Sequence, residues 1–149
     1  MITRAESDRA TQGRARPIYE FGETHLRQLH RLYQKEWWSK DRSLQETRRC
    51  VAGSQVCIGL VGAKGHLLAF ARVITDFTFR AMIFDVIVSD SERGQGLGTQ
   101  IIQLLKNHDK LRQVGTFELY CLPPLFDFYR KLGFSEDVGE VRLMRYVNL

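Results

Sequence analysis

Phe84-Asp85-Val86-Ile87-Val88-Ser89-Asp90-Ser91-Glu92-Arg93-Gly94-Gln95-Gly96-Leu97-Gly98-Thr99 runs from an apolar strand signal through a polar turn straight onto a helix. Glycines at the junction let backbone amides approach an anion closely. The first turn of a helix adds unpaired N–H groups and the positive end of its dipole, so a pyrophosphate fits there without side-chain charge. Arg93 adds a positive charge at the rim. Gly98 at the start of a helix costs about 1 kcal/mol relative to alanine, which calls for a reason. A Rossmann G-x-G-x-x-G would need glycine where Thr99 stands, and a P-loop would need Gly-Lys-Ser/Thr, which is absent. The pattern that remains is R/Q-x-x-G-x-G/A, met by Arg93, Gly96 and Gly98. Its force comes from its place between a strand and a helix.

The flanks extend this into an alternating order of elements. Upstream, Pro17 to Phe21 predicts a short strand. Thr24 is placed to cap a helix whose Leu26, Leu29, Tyr33 and Trp37 form a core stripe. Ser43-Leu44-Gln45-Glu46 is a capping box that opens a second helix running to about Cys50, with Trp37 to Arg42 as the loop between them. Gln55–Val61, His66–Thr75 and Arg80–Val88 predict an antiparallel meander, turned by Gly62 to Gly65 and Asp76 to Phe79. Downstream, Gly96 to Leu111 predicts a helix with Leu97, Ile101, Leu104, Leu105 and Leu111 inward, and Thr116 to Cys121 a strand. Pro124 suits the first turn of a helix over Leu125–Leu132, Gly133 suits the residue past its end, and the alternation of Val141 to Val147 predicts a closing strand.

The 149 residues are 44% apolar and 26% charged, the balance of one globular domain, expected over residues 17–149. Residues 1–16 read as a disordered basic arm without the apolar core of a secretory signal. Apolar runs such as Ala81 to Val88 fall far short of the ~20 residues that span a bilayer, so no membrane partner is expected. Cys50, Cys57 and Cys121 are an odd, widely spaced set that suits a reducing, cytoplasmic compartment, and His25, His30, His66 and His108 lack ligand spacing, so no metal is expected. A net charge of +5 and a pI near 9.3 suit an anionic partner. The basic residues are scattered with no nucleic-acid motif, which favours a phosphorylated small molecule over nucleic acid.

Two motifs, R-G-Q-G-L-G (93–98) and F-Y-R-K-L-G-F (128–134), together with the order of elements, resemble the GNAT superfamily of acyl-CoA-dependent N-acetyltransferases over nearly all of residues 18–146. The resemblance implies an α/β (α+β) fold: a mixed, mostly antiparallel central sheet splayed at a V and flanked by about four helices. It implies acetyl-CoA as acyl donor and direct attack by an amine acceptor within a ternary complex. Carried over by position, Arg93, Gly94, Gln95, Gly96, Leu97, Gly98 and Thr99 hold the pyrophosphate, and backbone groups of Val86 and Val88 meet the thioester oxygen and the pantetheine amides. Tyr129 takes the position of a tyrosine beside the CoA sulfur, and Trp37, Trp38 and Asp41 border the acceptor pocket. One departure stands out: an asparagine that many members carry seven residues before that tyrosine is Leu122 here, followed by Pro123 and Pro124.

Asp85 interrupts an apolar strand, and a buried carboxylate must be paired, protonated or exposed to a wet cleft. Two readings follow: the general base that deprotonates the amine, or the structural ion-pair partner of Arg72 on the preceding strand. Tyr129 is either the acid that protonates the departing thiolate or a core aromatic. A non-catalytic acyl-CoA-binding module and a basic nucleic-acid-binding protein are the other function classes compatible with the residues. The identity of the acceptor and the oligomeric state stay open.

Overall fold

The computed structural model describes residues 15–148 and consists of two compact units that divide between Leu119 and Tyr120. The basic arm expected over residues 1–16 lies outside the described residues as far as position 14, and its last residue, Arg16, opens a strand.

The first unit contains strand β1 (Arg16–Ile18), helix α1 (Glu23–Gln34), helix α2 (Leu44–Ala52), strands β2 (Val56–Val61), β3 (Leu67–Thr75) and β4 (Arg80–Val88), helix α3 (Leu97–Lys106) and strand β5 (Thr116–Glu118). They form one five-stranded sheet in the order β1-β2-β3-β4-β5. The first four strands pair antiparallel, as the meander predicts, and β5 joins β4 in parallel. This is the expected mixed, mostly antiparallel α/β architecture. β5 ends at Glu118 and pairs only with Arg80, Ala81 and Met82, so β4 runs on past its end over Ile83–Val88.

Every residue of β2 is buried. Successive side chains of a strand point to opposite faces, so this pattern requires cover on both. Cys57 and Val61 join Leu29, Leu32 and Tyr33 of α1 with Leu67, Phe70 and Ile87 in one cluster. Ile58 and Leu60, on the opposite pleat, are also fully buried, and α3 packs against β2, β3 and β4 with Leu97, Ile101, Ile102 and Leu105 inward. Each such side chain contributes roughly 1.5–3 kcal/mol of burial.

The capping box forms as expected: Ser43 Oγ accepts from the Glu46 N–H, and the Glu46 carboxylate accepts from the Ser43 N–H. Several expectations are corrected. Gly22, not Thr24, is the N-cap of α1, and the helix ends at Gln34, so Trp37 leaves the core stripe and is 71% exposed. The helix expected over 96–111 ends at Lys106, and a separate 3-10 turn over Asp109–Leu111 still buries Leu111. The strand expected to reach Cys121 stops at Glu118.

In the second unit a 3-10 turn, Pro123–Leu125, runs into the short helix α4, Phe126–Arg130. Gly133 follows at φ 94°, and the Phe134 N–H donates to the Tyr129 carbonyl, closing the helix end. Val141–Val147 is not a strand among the described residues: its apolar side chains are exposed, because alternation alone cannot make a strand without a partner ladder. No helix among the described residues is long and apolar enough to cross a membrane.

Candidate functional site

The centre of the first unit's site is a bulge in β4. Arg72 pairs with Phe84 and Phe70 with Ile87, so Ala71 alone faces both Asp85 and Val86. Asp85 adopts φ 56°, the left-handed region that aspartate tolerates better than most residues. Residues held there cost on the order of 1–3 kcal/mol and persist only where the surroundings over-determine them. Here they do. The Asp85 carboxylate is 6% exposed. Its Oδ2 accepts from the Tyr33 hydroxyl at 2.8 Å, from Arg42 Nη1 at 2.7 Å and from Arg72 Nε at 2.7 Å.

Burial alone would raise the Asp85 pKa. The hydrogen bonds and charges of Arg42 and Arg72 outweigh that effect and hold the carboxyl below its usual range. Burial pushes the Tyr33 hydroxyl far up, aided by the adjacent Asp85 charge, so Tyr33 stays a donor. Of the two readings of Asp85, the geometry is that of the ion pair with Arg72, widened by Arg42 and Tyr33. An ionised carboxylate already holding three hydrogen bonds on one oxygen is a poor proton acceptor. Arg42 and Tyr33 had no sequence signal for this role. They lie 43 and 52 residues from Asp85, and only the fold brings them together.

The glycine loop reaches the opening of α3 as expected. Gly94 and Gly96 take φ 80° and 79°, and Gly96 is the N-cap of α3. A Cβ built on either would meet nothing within 4 Å, so the backbone faces open space. Leu97, Gly98 and Thr99 form the first turn, whose amides have no intrahelical acceptor. A chain with left-handed turns at 94 and 96 leading into free helix amides is an anion cradle. Arg93 is engaged elsewhere: its Nη2 lies 2.8 Å from Glu36 Oε1 and 2.9 Å from Asp90 Oδ1, and its Nε donates to the Val88 carbonyl at 3.4 Å. The Glu36 contact links the loop to the segment after α1 and had no signal in the sequence.

That segment also carries Trp37, Trp38 and Asp41, the residues expected to border an acceptor pocket. Trp37, Trp38 and Asp41 line an open depression of about 220 Å³ with Ser39, Lys40, Arg42 and Glu46. The two tryptophans differ in role. Trp38 packs against Tyr33 and stacks on the Arg42 guanidinium, 5.3 Å from its ring, whereas Trp37 projects outward. Tyr129 belongs to the second unit, where it is 8% exposed between Phe128 and Phe134. Burial, then the nearby Cys121, pushes its hydroxyl up to about 12. Among the described residues no group of three or more His, Cys, Asp or Glu side chains gathers to hold a metal.

Comparison with known proteins shows the family and the fold. The model of the acetyltransferase (GNAT) family matches residues 17–134. The chain is 32% identical over 123 residues to an uncharacterized N-acetyltransferase, ycf52, of Pyropia yezoensis, covering 80% of this chain and 70% of that one. It is 37% identical over 82 residues to serotonin N-acetyltransferase 2, chloroplastic, of Oryza sativa subsp. japonica, covering 55% of this chain and 41% of that protein. Among solved structures, a protein belonging to the GNAT family from Xanthomonas campestris pv. campestris superposes with a TM-score of 0.75 at 27% identity, covering 89% of this chain and 94% of that one.

The Asp85 cluster makes a direct prediction about stability. Asp85→Asn keeps the left-handed tolerance but leaves two half-buried guanidinium groups without a counter-charge, and should cost about 3–5 kcal/mol in denaturant unfolding. The sign of the pH dependence follows from the lowered native pKa. The carboxylate's contribution is present above the ordinary aspartate range and is lost as pH falls through the depressed native value. Unfolding curves between neutral and acid pH should therefore converge for wild type and Asp85→Asn at low pH. A constant gap would contradict the assignment.

Proposed function

The chain belongs to the GNAT acetyltransferase family, and on that footing we propose that it transfers an acetyl group from acetyl-CoA to a primary amine by direct attack in a ternary complex. The observation that carries this reading is the pair of left-handed glycines, 94 and 96, opening α3 with free space beside their Cα atoms. That cradle fits a pyrophosphate held by the amides of residues 94–99. The Val86 amide is placed at the bulge, where a backbone donor can stabilise charge growing on a thioester oxygen, and Val88 backbone groups serve the pantetheine amides. The name of the rice relative, a serotonin N-acetyltransferase, supports an amine as acceptor. Trp37, Trp38 and Asp41 are the walls proposed for it. The free thiols of Cys50, Cys57 and Cys121 suit the cytoplasmic setting proposed for the reaction.

Asp85 is committed to Arg42 and Arg72, so in this proposal the amine proton leaves to solvent rather than to that carboxylate. Tyr129 remains protonated at neutral pH, with its hydroxyl pushed up to about 12, and is the proposed donor to the departing thiolate.

Three outcomes check the proposal. CoA should raise the melting temperature of the wild-type protein, and Gly96→Trp should abolish this by filling the phosphate space and straining a positive φ. Equal stabilisation of both proteins would defeat the assignment. Arg93 must exchange Glu36 for a pyrophosphate, and an exposed pair of this kind holds only ~0.2–1 kcal/mol. Glu36→Gln should therefore tighten CoA binding in calorimetry by about two- to fivefold. Tyr129→Phe keeps the ring and removes the proton donor. Turnover should fall ~100-fold with acetyl-CoA affinity nearly unchanged, and a donor with a more acidic thiol should feel the change far less.

A further inference from the structure

We propose that Arg42 and Tyr33 are positioning residues for acyl transfer: by pinning the Asp85 carboxylate they hold the β4 bulge so that the Val86 amide meets the thioester oxygen. The proposal rests on the reading of Val86 as the thioester-binding amide. Asp85 and Val86 share one opposite residue, Ala71, on β3, and β5 pairs no further along β4 than Met82, so this part of the strand lacks the one-to-one register of its neighbours. The side-chain ties add a second constraint at this point. They come from separate elements: Tyr33 from α1, Arg42 from the loop before α2, and Arg72 from β3. A carboxylate held by three donors cannot rotate, and its backbone is thereby kept at φ 56°.

Arg42 has a second connection. Its guanidinium lies over Tyr33, 4.6 Å from the ring centre, and over Trp38, and the same residue lines the open depression with Trp37, Trp38 and Asp41. An acceptor that settles against Trp38 therefore presses on the group that holds the bulge. Acceptor occupancy and the aim of the Val86 amide are linked through one guanidinium.

The test reads the acyl carbonyl itself. With acetyl-CoA carrying a 13C carbonyl, binding to wild type should lower the infrared carbonyl frequency, because a well-aimed amide polarises the bond. Tyr33→Phe and Arg42→Gln should return the band toward its free value. Arg42→Gln should lower kcat ~10-fold or more, short of the 100-fold or greater loss typical when an oxyanion donor is removed outright, with KM for acetyl-CoA changed less than about twofold. Arg42→Lys, which restores the charge, should recover part of kcat. Folded variants that keep the wild-type band and wild-type kcat would overturn the proposal. If wild type shows no carbonyl shift, the assignment of Val86 fails instead. The pinning is then read without any ligand: hydrogen exchange at the Val86 amide should accelerate in Tyr33→Phe and Arg42→Gln relative to the β2 amides at the sheet centre. Unchanged relative exchange would refute the pinning as well.

Discussion

One carboxylate, Asp85, binds together four parts of the first unit. Three donors from α1, the following loop and β3 converge on a single oxygen of a residue in β4, and the backbone there is left-handed. Removing that charge from water is costly, and an ion cluster of this kind is weak evidence for stability as such. Its physical effect is geometric. Where two residues of β4 face one of β3, side chains add to the shape the ladder defines, and the partners have further contacts: Tyr33 also meets Cys50, Arg72 also reaches Ser54 and stacks on Phe84, and no buried side-chain polar atom among the described residues lacks a partner. Tyr33 itself belongs to the apolar cluster of Leu29, Leu32, Phe70 and Ile87, so one of the three donors is held by the core.

The donor loop solves a different problem by different means. As the proposed anion site it needs no buried charge, because an anion there would be met by amides that the helix geometry leaves unpaired. Glycine is required at 94 and 96 for conformation, not merely for space: both have positive φ, and both face open surroundings. Side chains there would be strained before they were crowded. The loop's own acidic residues, Asp90 and Glu92, would repel a pyrophosphate, and Arg93 offsets them by sitting against Asp90 and Glu36.

How much of this was legible in the sequence follows from the range of the interactions. Local rules worked: Arg80–Val88 has the bounds its pattern predicts, the Ser43 capping box closes as its spacing requires, and Gly96 marks the start of α3. Periodicity failed where it overran an element. Trp37 continues the helical stripe of Leu29 and Tyr33, but the helix ends at Gln34 and the residue turns out to solvent. Val141–Val147 alternates like a strand and lacks a partner among the described residues. In the site, Asp85 was recognised as anomalous and its link to Arg72 was legible, because the two strands are adjacent. Tyr33, Arg42 and Glu36 were not, because their partners lie 43 to 57 residues away and no local pattern encodes such a meeting.

The segment between α1 and α2 is consequently tied at both ends to the donor side of the site, by two ion pairs of unequal character. At one end Glu36 meets Arg93, whose side chain is 56% exposed. At the other Arg42 meets Asp85, which is almost entirely buried. Exposed pairs are screened by salt and hold little free energy, whereas a buried, hydrogen-bonded pair is screened far less and is costly to break one partner at a time. An anion that competes for Arg93 therefore releases only the weak tether. The strong one keeps Arg42 on Asp85, so loss of the Glu36 tether does not by itself release the bulge, and the loop reaches the backbone at Val86 only through Arg42.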